Sequence, residues 1–254
     1  MSENSHAGNH STLSKAQSGG SRIARHRHDE HQIVYPSSGV VAVHTDSGTW
    51  VAPADRAIWI PAGEWHEHRF FGPTRFHCVV FNPAEYEHGP RSPGVVVVAP
   101  LLRELIVACS APDDHTADEL GRLRAVLLDQ LRHSPEQELK LPAPVDARLR
   151  AACAIVGDDL TKSWALGDLG RQSGASARTL SRLYREEMGM TYPQWRTQIR
   201  LYRALQLLAK GHPVTDVACR CGWSSPSAFI EAFRRTLGYT PGQAVRSENS
   251  EFPQ

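Results

Sequence analysis

Several histidines of this 254-residue chain sit where chemistry needs them. His26 and His28 are two residues apart, the period at which a strand returns side chains to one face, so both imidazoles can converge on one ligand. Gln32 follows with a neutral amide oxygen, and His66 supplies a third imidazole after the turn that begins at Pro61 and Gly63. Three imidazoles suit Zn, Fe, Ni or Cu, and each must be unprotonated to bind, so affinity would fall as pH drops through the imidazole range near ~6.5. The expected ligand set for one divalent transition metal is His26, His28, Gln32 and His66, with His31, His44, His68 and His77 as alternates. Trp59 and Trp65 are candidates for the wall of the same pocket. Histidines of this kind equally line a polar pocket around an organic ligand.

A second constellation is cationic. Arg178, Ser181, Arg182 and Arg185 recur three to four residues apart, which on a helix makes one stripe that a DNA major groove can receive. Residues 146–246 hold 15 Lys and Arg against 8 Asp and Glu, leaving 13 against 19 for the rest of the chain, so a near-neutral total of +1 conceals a basic module.

The elements that must present this stripe occur twice. Gly174, Ser176, Leu180, Tyr184, Arg185 and Gly189 are echoed 48 to 49 residues later by Gly222, Ser225, Phe229, Phe233, Arg234 and Gly238. Each copy reads as a short helix, a glycine turn and a second amphipathic helix: a helix-turn-helix used twice. Ser176 and Ser225 are expected N-caps, Pro226 suits a first helical position, and Thr215 is the expected cap of the short helix before Gly222. Between the copies, residues 192–209 read as one connecting helix. At ~27 Å it comes close to the ~34 Å between successive major-groove faces.

The histidines need a different scaffold. Residues 32–35, 40–45, 49–52, 57–60, 66–71, 75–81 and 95–98 read as strands, with Asp46, Ser47 and Gly48 as a hairpin turn. Short strands separated by turns predict a sandwich or small barrel. From Pro100 the pattern becomes helical, with apolar stripes at Leu101, Leu102, Leu105 and Ile106 and at Leu120, Leu123, Val126, Leu127 and Leu131.

Two resemblances follow. Gly20, His26, His28, Gln32 and Gly39, then Pro61, Gly63 and His66, resemble the two cupin motifs. Gln32 departs from the usual glutamate, Asp55 from an opening glycine and Phe70 from a closing asparagine. The stretch from Ser176 to Arg185, with Arg200, Leu201, Ala204, Leu207, Leu208, Val217, Ala218, Gly222, Trp223, Phe229, Phe233, Arg234, Gly238, Thr240, Pro241 and Arg246, resembles the DNA-binding domain of the AraC/XylS family of bacterial transcription regulators. That resemblance covers about 100 residues, far more than a lone helix-turn-helix.

It implies base contacts from Arg178, Ser181 and Arg182, and from Ser227, Ala228 and Glu231. Arg185, Ser225, Arg234 and Arg235 complete the expected DNA-binding set. Trp59 and Trp65 would then flank an effector, metal or small molecule. A homodimer on operator DNA is expected, with RNA polymerase as a further partner if the protein activates.

The expected fold class is therefore α+β in two domains: a tail at 1–20, a cupin-like sensor barrel at 21–99, a helical dimerisation or packing segment at 100–134, a linker at 135–145, an all-α double helix-turn-helix at 146–246 and a tail at 247–254. Five cysteines without a C-x-x-C pair argue for free thiols. No apolar run is long enough to span a bilayer and no apolar leader is evident, so a cytoplasmic protein without membrane contact is expected. No catalytic constellation stands out, and the chain is read as a non-enzyme. The alternative is a metal-dependent cupin enzyme fused to a DNA-binding domain.

Overall fold

The computed structural model of the protein describes residues 12–85, 90–137 and 140–246. The N-terminal strands are β1 (Leu13–Gln17), β2 (Arg22–His26), β3 (His31–Thr45), β4 (Gly48–Pro53), β5 (Arg56–Ile60), β6 (His66–Phe81) and β7 (Gly94–Val97). Helices α1 (Pro100–Cys109) and α2 (Ala117–His133) follow, then two short strands, β8 (Glu136–Gln137) and β9 (Lys140–Pro142). Among the described residues all nine strands belong to one antiparallel sheet.

The sheet is built on β3 and β6, which pair from His31↔Phe81 to Thr45↔His66. Their register shifts between Pro36 and Val40. Pro36 has no N–H to give the ladder, and such an irregularity bends the strand. The two arms of β3 consequently share one inner core: Val34 from one and Val41 and Val43 from the other meet Ile58, Ile60, Phe70 and Phe76. Alternate residues Ile33, Tyr35, Trp59, Val79 and Phe81 turn outward onto α1 and α2. Period-two alternation thus gives the sheet a second buried face.

Two expected segments differ from this arrangement. Residues 13–17, assigned to a tail, form β1 and pair with β6 from Leu13↔Cys78 to Gln17↔Thr74. Ladder hydrogen bonds come from the backbone, so a polar sequence does not forbid them. Residues 135–145, assigned to a linker, are stitched into the sheet, β8 against β7 and β9 against β4. Residues 1–11 of the first tail and the tail at 247–254 lie outside the described residues.

The C-terminal domain comprises α3 (Ala147–Asp158), α4 (Leu166–Ser173), α5 (Ala177–Met188), α6 (Tyr192–Leu208), α7 (Val214–Arg220), α8 (Pro226–Leu237) and α9 (Pro241–Arg246). Ser176 Oγ accepts from Thr179 N at 3.0 Å and Ser225 Oγ from Ala228 N at 3.1 Å, so α5 and α8 both carry the expected caps. Thr215 is no cap: α7 starts two residues earlier than expected, at Val214, with Pro213 at the cap position and no side-chain bond. Gly222, at φ +74°, must be glycine because a Cβ there would meet Leu160 O at 2.2 Å. The first repeat packs around Leu169, Leu180, Leu183, Tyr184 and Trp195, the second around Val217, Phe229, Phe233 and Leu237.

The domains dock on each other. Val40, Ala42 and Val51 of the sheet lie in one core with Leu201, Leu205 and Phe233. Phe71 meets Tyr202 edge-on at 6.3 Å. Gly72, at φ +69°, leaves room for the turn after α6, since a Cβ would meet Ala209 O at 1.8 Å. Arg56, only 5% exposed, donates to Leu237 O at the end of α8 (2.6 Å) and to Asp55 (2.5 Å), with its guanidinium 5.9 Å from the Tyr239 ring.

Candidate functional site

The histidine cluster grows out of the pairing of β2 with β6, where His26 stands opposite His66. Two residues along β6, His68 faces the same side by strand alternation. His26, His66 and His68 each offer a ring nitrogen within 4.8 Å of the others'. His28, just past the end of β2, stands 5.1 Å from His66 and 5.9 Å from His26, centroid to centroid. His66 and His68 are buried and His26 is half-buried.

Three of these rings are held in one tautomer. The Nδ1 atoms of His26, His28 and His66 lie 2.8 Å from the carbonyl oxygens of Ala24, Glu30 and Glu64 respectively. A carbonyl can only accept, so each Nδ1 carries the proton and the neutral ring keeps its lone pair on Nε2. Burial, partly opposed by the Glu30 carbonyl, lowers the His28 pKa, which favours the neutral form that a metal requires. The donor set, three imidazoles with His28 beside them, fits a borderline divalent cation such as zinc.

The structure redistributes the other candidates. Gln32 is buried, donates through Nε2 to Cys78 Sγ at 2.9 Å and is also hydrogen-bonded to His28, while His68, an alternate in the sequence reading, joins His26 and His66 in the close triad of imidazoles. His68 has its own sequence signal: His66 and His68 repeat the two-residue spacing of His26 and His28. His31 accepts from Ala62 N, His44 bonds Thr49 Oγ1, and His77 lies between Ser110 and Ser37 hydroxyls. Neither tryptophan walls the cluster. Trp59 is packed outward with the α1–α2 core and donates to Pro90 O, because its neighbours Ile58 and Ile60 take the inner face. Trp65 is 39% exposed, with the guanidinium groups of Arg25 and Arg27 5.2 and 5.0 Å from its ring.

On α5, Arg178, Arg182 and Arg185 are exposed and Ser181 is half-buried, while Leu180, Leu183, Tyr184 and Met188 form the buried face. Arg182 is ion-paired with Glu186 one turn on. On α8, Ser227, Glu231, Arg234 and Arg235 are exposed, Ala228 and Ser225 are half-buried, and the Ser225 oxygen is engaged as the cap. Ile230, which the sequence reading did not single out, is exposed in the middle of that face.

Residues 10–159, more than half of the chain, match the model of the AraC-like ligand binding domain, and residues 169–247 match that of a helix-turn-helix domain. The HTH-type transcriptional regulator NimR of Escherichia coli (strain K12) is 30% identical over 231 residues, covering 90% of this chain and 84% of that protein. The chain belongs to the AraC family. Another member, the transcriptional regulator GadX of Escherichia coli O6:H1, is 33% identical over 102 residues, 40% of this chain and 37% of its own. Among solved structures, ToxT from Vibrio cholerae is 11% identical with a TM-score of 0.42, covering 93% of this chain and 97% of that one. This AraC-family protein is a DNA-binding transcription regulator with an N-terminal ligand-binding domain. Among the described residues no helix is long and apolar enough to cross a membrane.

Proposed function

We propose that the effector of this regulator is a divalent transition ion held by His26, His66 and His68, with His28 as a further ligand, and that it controls operator affinity. The supporting observation is the fixed tautomer: the ladder of carbonyl bonds leaves Nε2 as the lone-pair nitrogen on His26 and His66 before any ion arrives. Strand alternation supplies a route to the reader. His66 and His68 face the cluster, while Phe71 of the same strand meets Tyr202 of α6. A shift of β6 on metal binding is therefore felt by the helix that joins the two readers.

Calorimetric titration of tag-free protein with zinc tests the site. One ion per chain is expected for the wild type, with loss of binding in His66→Ala and in His68→Ala and retention in Gln32→Ala. Loss confined to the Gln32 variant would overturn the assignment. An organic effector is the second reading, favoured by a cavity of about 220 Å³ between the sheet, β9 and the first reader, lined by Thr49, Leu141, Met188, Trp195 and Ile199.

In this proposal Arg178, Ser181 and Arg182 read bases through α5, α8 reads the second half-site, and Arg185, Arg234 and Arg235 lie near phosphates. The protein acts as a homodimer through α1 and α2, whose Leu101 and Val126 are exposed on helices otherwise seated on the sheet. Contact with RNA polymerase would follow for an activator. Sedimentation of the wild type against a Leu101→Glu/Val126→Glu variant tests the dimer: a monomeric variant is expected, and an unchanged assembly would place the interface elsewhere.

A further inference from the structure

The outward face of α8 has a composition unlike that of α5. Ser227 and Arg234 each lie three or four residues from the adjacent pair Ile230 and Glu231, opposite the buried Phe229, Ala232, Phe233 and Leu237, and the four form one stripe. Ile230 is 36% exposed at its centre, and with Glu231, Arg234, Arg235 and Thr240 it borders a concave surface of about 550 Å³. The cap bond from Ala228 N to Ser225 Oγ fixes the first turn from which this stripe projects. α8 has neither Asn nor Gln, and its two arginines lie in its last turn. The side chains that make bidentate pairs with guanine or adenine are thus missing from its first two turns.

The residues that are there have their own complements in a major groove. An apolar side chain packs on the C5-methyl of thymine, the only methyl group on a base edge, and a carboxylate can accept from the N4 amino group of cytosine while being repelled by phosphate oxygens. A carboxylate on a DNA-facing helix is therefore tolerable only over a base edge that donates. Adjacent positions on a helix turn by ~100°, so Ile230 and Glu231 straddle the stripe and reach neighbouring base pairs.

We propose that the second repeat selects adjacent thymine and cytosine, Ile230 lying on the thymine methyl and Glu231 accepting from cytosine N4. This rests on the reading of α8 as a base-contacting helix. It makes the operator chemically asymmetric: a half-site read by arginines through guanine, and a half-site read by Ile230 and Glu231 through pyrimidines.

The test uses full-length protein and duplexes selected from a random pool, with the half-site that relaxes in Arg182→Ala assigned to α5 and the other to α8. In the α8 half-site the wild type should select the thymine–cytosine step. Replacing that thymine by uracil, which deletes one methyl group, should weaken wild-type binding about fourfold and leave Ile230→Ala indifferent to the change. Glu231→Gln should move the preferred base from cytosine to adenine, the partner of a glutamine amide, changing the ratio of the two by roughly tenfold or more. Unchanged selection at the α5 half-site in both variants certifies that they are folded. A base preference at the α8 half-site that neither variant moves would overturn this proposal alone. Wild-type protein that accepts every base there equally would overturn the base-reading role of α8 on which it rests.

Discussion

The buried imidazole of His77 gives the sensor a pH dependence with a definite sign. Burial, reinforced by the charges of Arg75 and Arg103, pushes its pKa from 6.5 down to about 4. The unfolded chain therefore takes up the proton first. The stability this ring contributes is complete above pH 6.5 and is lost as pH falls from there to about 4, on the order of 3 kcal/mol across the window. Urea denaturation at stepped pH should show that slope, and His77→Gln should flatten it. An equally steep profile in the variant would assign the acid sensitivity to other groups. Legibility at this scale depended on spacing. His26 and His28 were read from their period-two spacing, while His68, at the same spacing from His66, stood only as an alternate until the pairing of His26 with His66 brought the strands together. Gln32 follows His28 closely in sequence and bonds it in the fold, while its Nε2 donates to Cys78, a contact 46 residues away that no local spacing announces.

Among elements, α5 and α8 are the best-specified parts of the sequence, since caps, glycine turns and apolar faces all agree. Their exposed residues carry one internal competitor. Glu186 pairs with Arg182 on the surface of α5, a bond that the guanidinium would have to give up to make a bidentate base contact. Arg182→Ala should weaken operator binding by on the order of 1–3 kcal/mol and relax base preference in one half-site. Glu186→Gln should strengthen binding, as removal of an acid near phosphates lowers repulsion. Electrophoretic mobility shifts on specific and random duplexes check both; an equal loss on random DNA in Arg182→Ala would make it a phosphate contact. By contrast β1, β8 and β9 were not legible, because short polar strands are held by backbone bonds to neighbours distant in sequence and leave no periodicity behind.

At the scale of the whole molecule, the two domains were readable from composition but their joint was not. Arg56 reaches the Leu237 carbonyl across 181 residues of chain, and no local pattern announces such a contact. Arg56→Ala removes that bond and leaves Asp55, whose pKa burial already raises and Arg56 holds back, without its cation. The variant should lose on the order of 2 kcal/mol at the joint and show faster amide exchange at the end of α8, readable by hydrogen exchange; unchanged exchange there would mean that Val40, Ala42 and Val51 hold the domains unaided.

The proposed route from cluster to reader would pass through the same joint, since β6 bears His66 and His68 on one side and Phe71, against α6, on the other. The most direct test is the affinity of full-length, tag-free protein for its selected operator, measured with zinc and with chelator in the wild type and in His66→Ala/His68→Ala. A difference of at least about tenfold between the two wild-type states, within the usual range of allosteric coupling, and none in the variant, is the predicted result; equal operator affinity of the wild type with zinc and with chelator would contradict control of DNA binding by an ion at the histidine cluster.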